Sequence, residues 1–304
     1  MQHLTEGLIV IKNLTHRYNA QQCALNDVNL TIGRGVFGLL GANGAGKSTL
    51  IRILCTMMSP TAGEVSICNY DLRQHRDQVR QLIGYLPQDF GAWPSQTVTE
   101  VIDTLAMLAG IKHKAERQRR IEWVLAAVGL DGVAGRKIKQ LSGGMLRRVG
   151  VAQALVHDPK ILIMDEPTVG LDPEERQRFR QLMTELAADR AIILSTHIVS
   201  DLGSACSDMA LIHRGKLEFR GTPADLIAAA AGEVFELVCD AAGEVALTEQ
   251  FEIVSRSRLG AADVLRGVVR QGNAPAGAVV AGDITLEEAY LAFAMKKERA
   301  VLQS

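Results

Sequence analysis

Long apolar runs are missing from this 304-residue chain. Uncharged stretches such as Ile53 to Gly63 and Gln271 to Gly282 fall short of the roughly 18 to 20 apolar residues that cross a bilayer, and both contain glycine or proline. A membrane span within the sequence is thereby excluded. The chain is expected to be soluble, and any membrane association to come through a partner. Cysteine is also scarce. Cys23, Cys55, Cys68, Cys206 and Cys239 show neither C-x-x-C nor His-paired spacing, which argues against a zinc or disulfide framework and suits a reducing compartment. They read as small apolar residues in or near the core. Net charge is nearly absent, at -1, so the chain is not a general polyanion binder. Met1 to Gly7 carries an acid and no apolar centre, unlike a secretory signal. No internal repeat is evident.

What is present is apolar material, 47% of residues, enough for one large domain or a large domain with a small one. From Gly7 to Val36, alternating segments such as Leu8–Ile11 and Val28–Ile32 predict antiparallel strands joined by turns. Ser48 to Cys55 has helical periodicity, stopped by Ser59-Pro60-Thr61-Ala62-Gly63. Between Thr97 and Gln140, Val98, Val101, Leu105 and Leu108 recur at helix spacing, as do Ile121, Val124, Leu125 and Val128. This predicts a helical subdomain at about 95–150. From Lys160 to Phe219 the pattern is strand, helix, strand, helix, strand. Ile161–Met164 and Ala191–Leu194 form apolar strands, with a charged helix from Pro173 to about Ala188 between them. Such alternation implies a parallel sheet covered on both faces, hence an α/β fold with N-terminal antiparallel strands. Composition shifts near Gly221. Residues 1–221 are expected to form the main domain and 222–304 a small α+β domain. Its elements are a helix opening at Thr222-Pro223, strands at Val234–Val238, Phe251–Val254 and Val264–Val269, a loop at Asn273–Gly277, and a last helix to about Val301. Thr285 and Glu288 form a capping box for that helix, and Glu287 and Glu288 read as first-turn acids.

Three motifs carry chemistry. Gly41-Ala42-Asn43-Gly44-Ala45-Gly46-Lys47-Ser48 fits G-x-x-x-x-G-K-[ST] without mismatch. Its glycines allow backbone N–H groups to turn toward phosphate oxygens, and the following helix start adds positive potential. Lys47 would neutralise the outer phosphates and the Ser48 hydroxyl would ligate Mg²⁺. Farther along, Ile161–Met164 delivers Asp165 and Glu166 at a strand end, where parallel sheets hold ligands. Asp165 suits a Mg²⁺ shell, with helix capping ahead of Pro167 as the alternative. Glu166 suits orientation or deprotonation of a water. Between these motifs lies Leu141-Ser142-Gly143-Gly144-Met145, a glycine-rich turn opening a helix.

The run Leu141–Met145, placed shortly before Ile161–Glu166, resembles the signature of ATP-binding cassette (ABC) ATPases, and the resemblance covers about residues 7–220. It implies ATP and Mg²⁺ as ligands and assigns further residues. Gly41–Ser48 and Thr49 would bind phosphate. Tyr18 resembles the aromatic that stacks on adenine, with a core position as the alternative. Gln88, in Tyr85-Leu86-Pro87-Gln88, resembles the glutamine that reaches Mg²⁺ and couples the site to a membrane partner. Gly170-Leu171-Asp172 resembles the loop that crosses a dimer interface, and His197 the histidine at the γ-phosphate. Catalysis would then involve Glu166, His197, Lys47 and Gln88, and metal binding Ser48, Gln88 and Asp165. Met145 departs from the family's frequent glutamine, so altered packing of the signature helix is expected with activity retained.

The resemblance also implies partners. Two copies would sandwich two ATP, with Ser142, Gly143 and Gly144 of each facing the other's nucleotide. A separately encoded membrane permease would dock near Phe90–Ser95, holding the ATPase at the inner face of the cell membrane. Gly84–Gln88, the Leu-Ser-Gly-Gly-Met form with Arg147-Arg148, and Ile284–Leu291 resemble the bacterial drug-resistance and polysaccharide-export branch. An importer ATPase is the alternative within transport, and a soluble cassette acting on ribosomes or nucleic acid the alternative outside it. The basic run Lys112–Arg120 lacks interleaved aromatics and reads as a solvated helix face rather than a nucleic-acid patch.

Overall fold

A computed structural model describes residues 7–199, 202, 206–239, 251–259, 262–270 and 274–302. The chain divides into two compact units, Met1–Arg220 and Gly221–Ser304. In the first, β1 (Ile9–Arg17), β2 (Cys23–Ile32), β3 (Gly35–Leu40) and α1 (Lys47–Leu54) precede β4 (Ala62–Ile67), β5 (Tyr70–Asp71), α2 (Arg76–Leu82) and β6 (Ile83–Leu86). Then follow α3 (Val98–Leu108), α4 (Lys114–Ala127), α5 (Gly143–Leu155), β7 (Ile161–Asp165), α6 (Pro173–Leu186), β8 (Ala191–Thr196), β9 (Cys206–His213) and β10 (Lys216–Gly221). The alternation read at the N-terminus yields an antiparallel sheet ordered β2-β1-β4-β5. The larger sheet runs β10-β9-β3-β8-β7-β6, and its inner pairs β9–β3, β3–β8, β8–β7 and β7–β6 are parallel.

Every residue of β7 and β8 is buried. That is why these strands read as continuous apolar runs rather than alternating ones. Ile161, Ile163, Ile193 and Leu39 join one core with Ile9, Ile11 and Leu30 from the antiparallel sheet. Each such side chain contributes about 1.5–3 kcal/mol of burial free energy. The structure thus has the mixed α/β architecture expected. The helix expected between β8 and β9 falls mostly on residues 200, 201 and 203–205, outside the described residues.

The helical stretch after Thr97 contains α3, α4 and two single turns at Asp131–Val133 and Ile138–Gln140. A capping box between Thr97 and Glu100 starts α3. The basic run is less solvated than its composition suggests. Arg117 is buried, bonding Asp103 at 2.7 Å and the Ile111 and Lys112 carbonyls. Arg120 donates to the Val156 carbonyl at 2.9 Å and lies over the Trp123 ring. Two of the run's arginines therefore turn inward, Arg117 to Asp103 and Arg120 to the end of α5.

The second unit contains α7 (Pro223–Ala229), β11 (Val234–Cys239), β12 (Phe251–Leu259), β13 (Ala262–Val269), β14 (Val279–Val280) and α8 (Leu286–Leu302). Its strands form an antiparallel sheet ordered β12-β13-β11-β14. Phe251, Leu265 and Val269 centre its core. The Thr285–Glu288 capping box forms, the two backbone N–H bonds measuring 2.8 and 3.2 Å. Glu288 has a second task absent from the sequence reading: its buried carboxylate accepts from Arg266 of β13 at 2.8 Å. Strand β14 was also not anticipated. Of the loop expected at Asn273–Gly277, Asn273 lies outside the described residues. Among the described residues no helix is long and apolar enough to cross a membrane.

Candidate functional site

Three neighbouring parallel strands, β3, β8 and β7, end level with one another, as Leu40 pairs with Thr196 and Asp165 with Ser195. The glycine loop follows β3, His197 follows β8 and Glu166 follows β7. Sequence segments more than a hundred residues apart thus meet at the carboxyl edge of one sheet, the usual ligand position in such folds. Together they border a cavity of about 340 Å³, which Tyr18, Lys47, Ser48, Gln88, Glu166 and His197 line with the loop. The size suits a small-molecule ligand.

The loop's geometry requires glycine at Gly46. Its φ is +113°, and a Cβ there would stand 2.5 Å from the Ala24 carbonyl oxygen. Gly46 is also the N-cap of α1 and supplies no side-chain cap. The first N–H groups of that helix therefore have no side-chain competitor for an anion. Lys47 is buried, and its Nζ donates to the Gly41 and Ala42 carbonyls at 2.6 and 3.2 Å. Burial pulls the Lys47 pKa down, while Glu166 and Asp165 pull it partly back. Tyr18 is half-exposed rather than core. Its hydroxyl lies 3.1 Å from Thr49 Oγ1, and its ring meets His16 edge-on at 5.0 Å. That leaves an aromatic body available at the cavity wall.

The two carboxylates differ in their surroundings. Asp165 Oδ1 accepts from the buried Ser195 hydroxyl at 2.8 Å, and Asp165 does not line the cavity. Glu166 does. Its backbone has φ +49°, and its N–H donates to the Ser195 carbonyl at 3.0 Å. His197 Nδ1 straddles its carboxylate, 2.8 Å from Oε1 and 2.7 Å from Oε2. Only the Oε1 contact has hydrogen-bond geometry, so buried Oε2 is left without a hydrogen-bond partner. Among the described residues, no cluster of three or more His, Cys, Asp or Glu could hold a metal by itself. Hard oxygens are nevertheless present, from Ser48 and Gln88 at the cavity wall and from Asp165, which interacts electrostatically with Lys47. This set fits a Mg²⁺ ion that takes most of its ligands from phosphate and water.

The signature residues are elsewhere. Ser142, Gly143, Gly144 and Asp172 do not line this cavity. Ser142 caps α5, accepting from Met145 N at 3.2 Å, so methionine at 145 leaves the helix start intact. A Cβ on Gly144 would run into the Glu175 carboxylate. Asp172 caps α6, accepting from Glu175 N at 2.8 Å, with Pro173 in the first turn. Gly143 lines a second groove of about 440 Å³ together with Gln88, Phe90, Leu146 and Leu171.

Sequence reasoning missed how Arg147 would be used. Its half-buried guanidinium bonds five carbonyl oxygens, two beside Gln88 and three beside Glu166. A signal existed: Arg147 shares a helix face, at steps of three and four, with the small residues Gly150 and Ala154.

Comparison with known proteins agrees with this geometry. Residues 25–169 match the family model described as ABC transporter. The chain is 34% identical over 235 residues to Nod factor export ATP-binding protein I of Ralstonia nicotianae, covering 77% of this chain and 71% of that protein. It is 31% identical over 228 residues to linearmycin resistance ATP-binding protein LnrL of Bacillus subtilis, covering 74% and 73%. A solved ATP-binding subunit of an ABC transporter superposes with TM-score 0.64 at 32% identity, covering 73% of this chain and 92% of that one. A dimeric bacterial ABC transporter cassette does so with TM-score 0.63 at 29% identity, covering 70% and 98%. The chain belongs to the ATP-binding cassette family and is an ATPase subunit of an ABC transporter.

Proposed function

We propose that this subunit hydrolyses Mg²⁺-ATP at two sites shared between two copies, and so drives a separately encoded permease that exports its substrate. The carrying observation is the division of the motifs. Lys47, Glu166 and His197 border one cavity, whereas Ser142, Gly143, Gly144 and Asp172 of the same chain do not. A second chain related by a twofold axis would supply the missing face. Export follows the relatives' names, Nod factor export among them.

In this reading the glycine loop and the α1 N-terminus hold the phosphates, Lys47 exchanging its loop carbonyls for phosphate oxygens. Ser48, Gln88 and Asp165 would hold Mg²⁺, which when bound supplies charge neutralisation at the β- and γ-phosphates. Glu166, which borders the cavity, accepts a proton from the attacking water. His197 holds that carboxylate through Nδ1 and meets the γ-phosphate. Tyr18 stacks on adenine. The groove beside Gln88 and Phe90 offers a docking surface for the permease, which would keep the ATPase on the cytoplasmic face of the membrane. Residues 222–304 are read as a small accessory domain.

Two measurements test this reading. Glu166→Gln with Mg²⁺-ATP should run as a dimer in size-exclusion chromatography, and Ser142→Arg in that background should remain monomeric while still binding ATP. Purification from gently solubilised membranes should recover a multi-helix protein. Recovery with ribosomes or nucleic acid alone would refute the transport role.

A further inference from the structure

Helix α5, which begins at the Ser142 cap, is fastened along one face. Arg147, Gly150, Gln153 and Ala154 fall on that face at steps of three and four, and His157 follows in the turn after the helix. A Cβ on Gly150 would collide with Leu86 and Phe90, so the helix approaches the end of β6 as closely as glycine permits. Gln153 Nε2 donates to the Tyr85 carbonyl at 2.8 Å, and His157 Nε2 lies 3.0 Å from the Ile83 carbonyl. Gly84 leaves room for the Ala154 carbonyl. These contacts bind the helix to one strand.

Arg147, nearest the signature turn, joins two separate segments. Nη1 donates to the Pro87 and Gln88 carbonyls at 3.1 and 2.7 Å. Nη2 donates to the Glu166 and Asp165 carbonyls at 2.5 and 3.3 Å, and Nε to the Pro167 carbonyl at 2.8 Å. Such a pattern needs a planar fork of several donors, which a lysine ammonium does not provide. Burial disfavours the charge on Arg147, while Asp165, Asp89 and Glu166 favour it. One segment it grips is strained: Glu166, at φ +49°, occupies a conformation that persists only when its surroundings enforce it.

We propose that Arg147 is a positioning residue for ATP hydrolysis, its single guanidinium fixing the Gln88 backbone against the Glu166 backbone so that the Glu166 carboxylate stays aimed into the cavity. The inference rests on the reading of Glu166 as the group that accepts the water's proton. It makes the signature-bearing helix part of each chain's own catalytic geometry, beyond any contact with a partner's nucleotide.

The test uses the purified full chain carrying Arg147→Lys or Arg147→Met, with kcat, KM, fluorescent-ATP affinity and unfolding temperature measured for each. Lysine keeps the charge but reaches only one set of carbonyls, and methionine keeps the stem alone. We expect kcat to fall about tenfold for R147K and about a hundredfold for R147M, with ATP affinity within about threefold of wild type. In a Glu166→Gln background, followed by single turnover of radiolabelled ATP, R147K should add less than about a twofold further loss, because the group it positions is gone. A wild-type kcat in R147K would overturn the proposal. So would a kcat loss matched by equal losses of affinity and unfolding temperature, or losses that multiply in the double variant. If R147M does not fold, R147K decides. Normal turnover in Glu166→Gln alone would instead refute the assignment of Glu166.

Discussion

Glu166 in the first unit and Glu288 in the second are both buried carboxylates, yet they are satisfied very differently. Glu288 Oε1 accepts from Arg266 at 2.8 Å, and Oε2 accepts from the Thr285 N–H at 2.8 Å and its hydroxyl at 3.0 Å. Arg266 in turn reaches Glu236 at 2.5 Å and the Asp283 carbonyl. Glu166 has His197 Nδ1 lying across both oxygens with a single hydrogen bond, on a strained backbone beside a cavity. A buried charge with its partners complete serves the fold. One left incomplete at a cavity wall retains capacity for a ligand, at a cost in stability.

The comparison is most sharply tested at Glu166. Glu166→Gln is expected to lower kcat by about a hundredfold or more, while the unfolding temperature stays level or rises because a poorly paired buried charge is gone. Phosphate release and a thermal melt decide both halves. A large drop in unfolding temperature would place Glu166 with Glu288 as a structural acid.

Lys47→Met should weaken ATP binding by about a hundredfold, because the phosphates lose a buried charge partner. The Lys47 pKa is depressed, so wild-type affinity should also decline on the alkaline side at a lower pH than an exposed lysine would give. Nucleotide titrations across pH measure this, and a flat profile to strongly alkaline pH would contradict the burial argument.

Glu288→Gln should act oppositely, removing about 2 kcal/mol of stability, the range of a hydrogen bond to a charged group, and leaving kcat of the folded protein unchanged. Burial opposes ionisation of Glu288, but the bonds from Arg266 and Thr285 outweigh it and hold its pKa below the ordinary value of 4.5. Its contribution is therefore complete above the unfolded pKa and lost as pH falls through the lower folded value. Denaturant curves at neutral and acid pH should converge for wild type and variant as that stabilisation disappears.

The smallest effect belongs to Tyr18→Ala, where losing the ring should raise KM for ATP about fivefold with kcat nearly unchanged. An unchanged KM would leave the tyrosine its contacts with Thr49 and His16 alone.

Much of this was legible in the sequence. The glycine loop is a local motif, because helix start, lysine and hydroxyl are contiguous and the backbone geometry follows from glycine. Strands β7 and β8 were legible because burial on both faces writes itself as an unbroken apolar run. The Thr285–Glu288 box was equally readable, being closed within one turn. Other features were not. The basic run Lys112–Arg120 looks solvated by composition, yet Arg117 and Arg120 point inward to acceptors contributed by other segments. Glu288 carries no local mark of its bond to Arg266, 22 residues away. Arg147 looks like an ordinary helix cation until the Gln88 and Glu166 segments are brought to its two sides.

The sequence by itself determined the glycine loop proposed here as the phosphate site, since its geometry is built from neighbouring backbone groups whose conformation a few glycines dictate. The order of its motifs also contained the family. Tertiary structure alone decided which residues share the cavity, which buried acid has only a histidine beside it, and that Arg147 clamps two distant backbones. Those outcomes depend on the register of parallel strands and the seating of one helix on another element. Pairings of that kind form between segments far apart in the chain, so no local stretch of sequence encodes them.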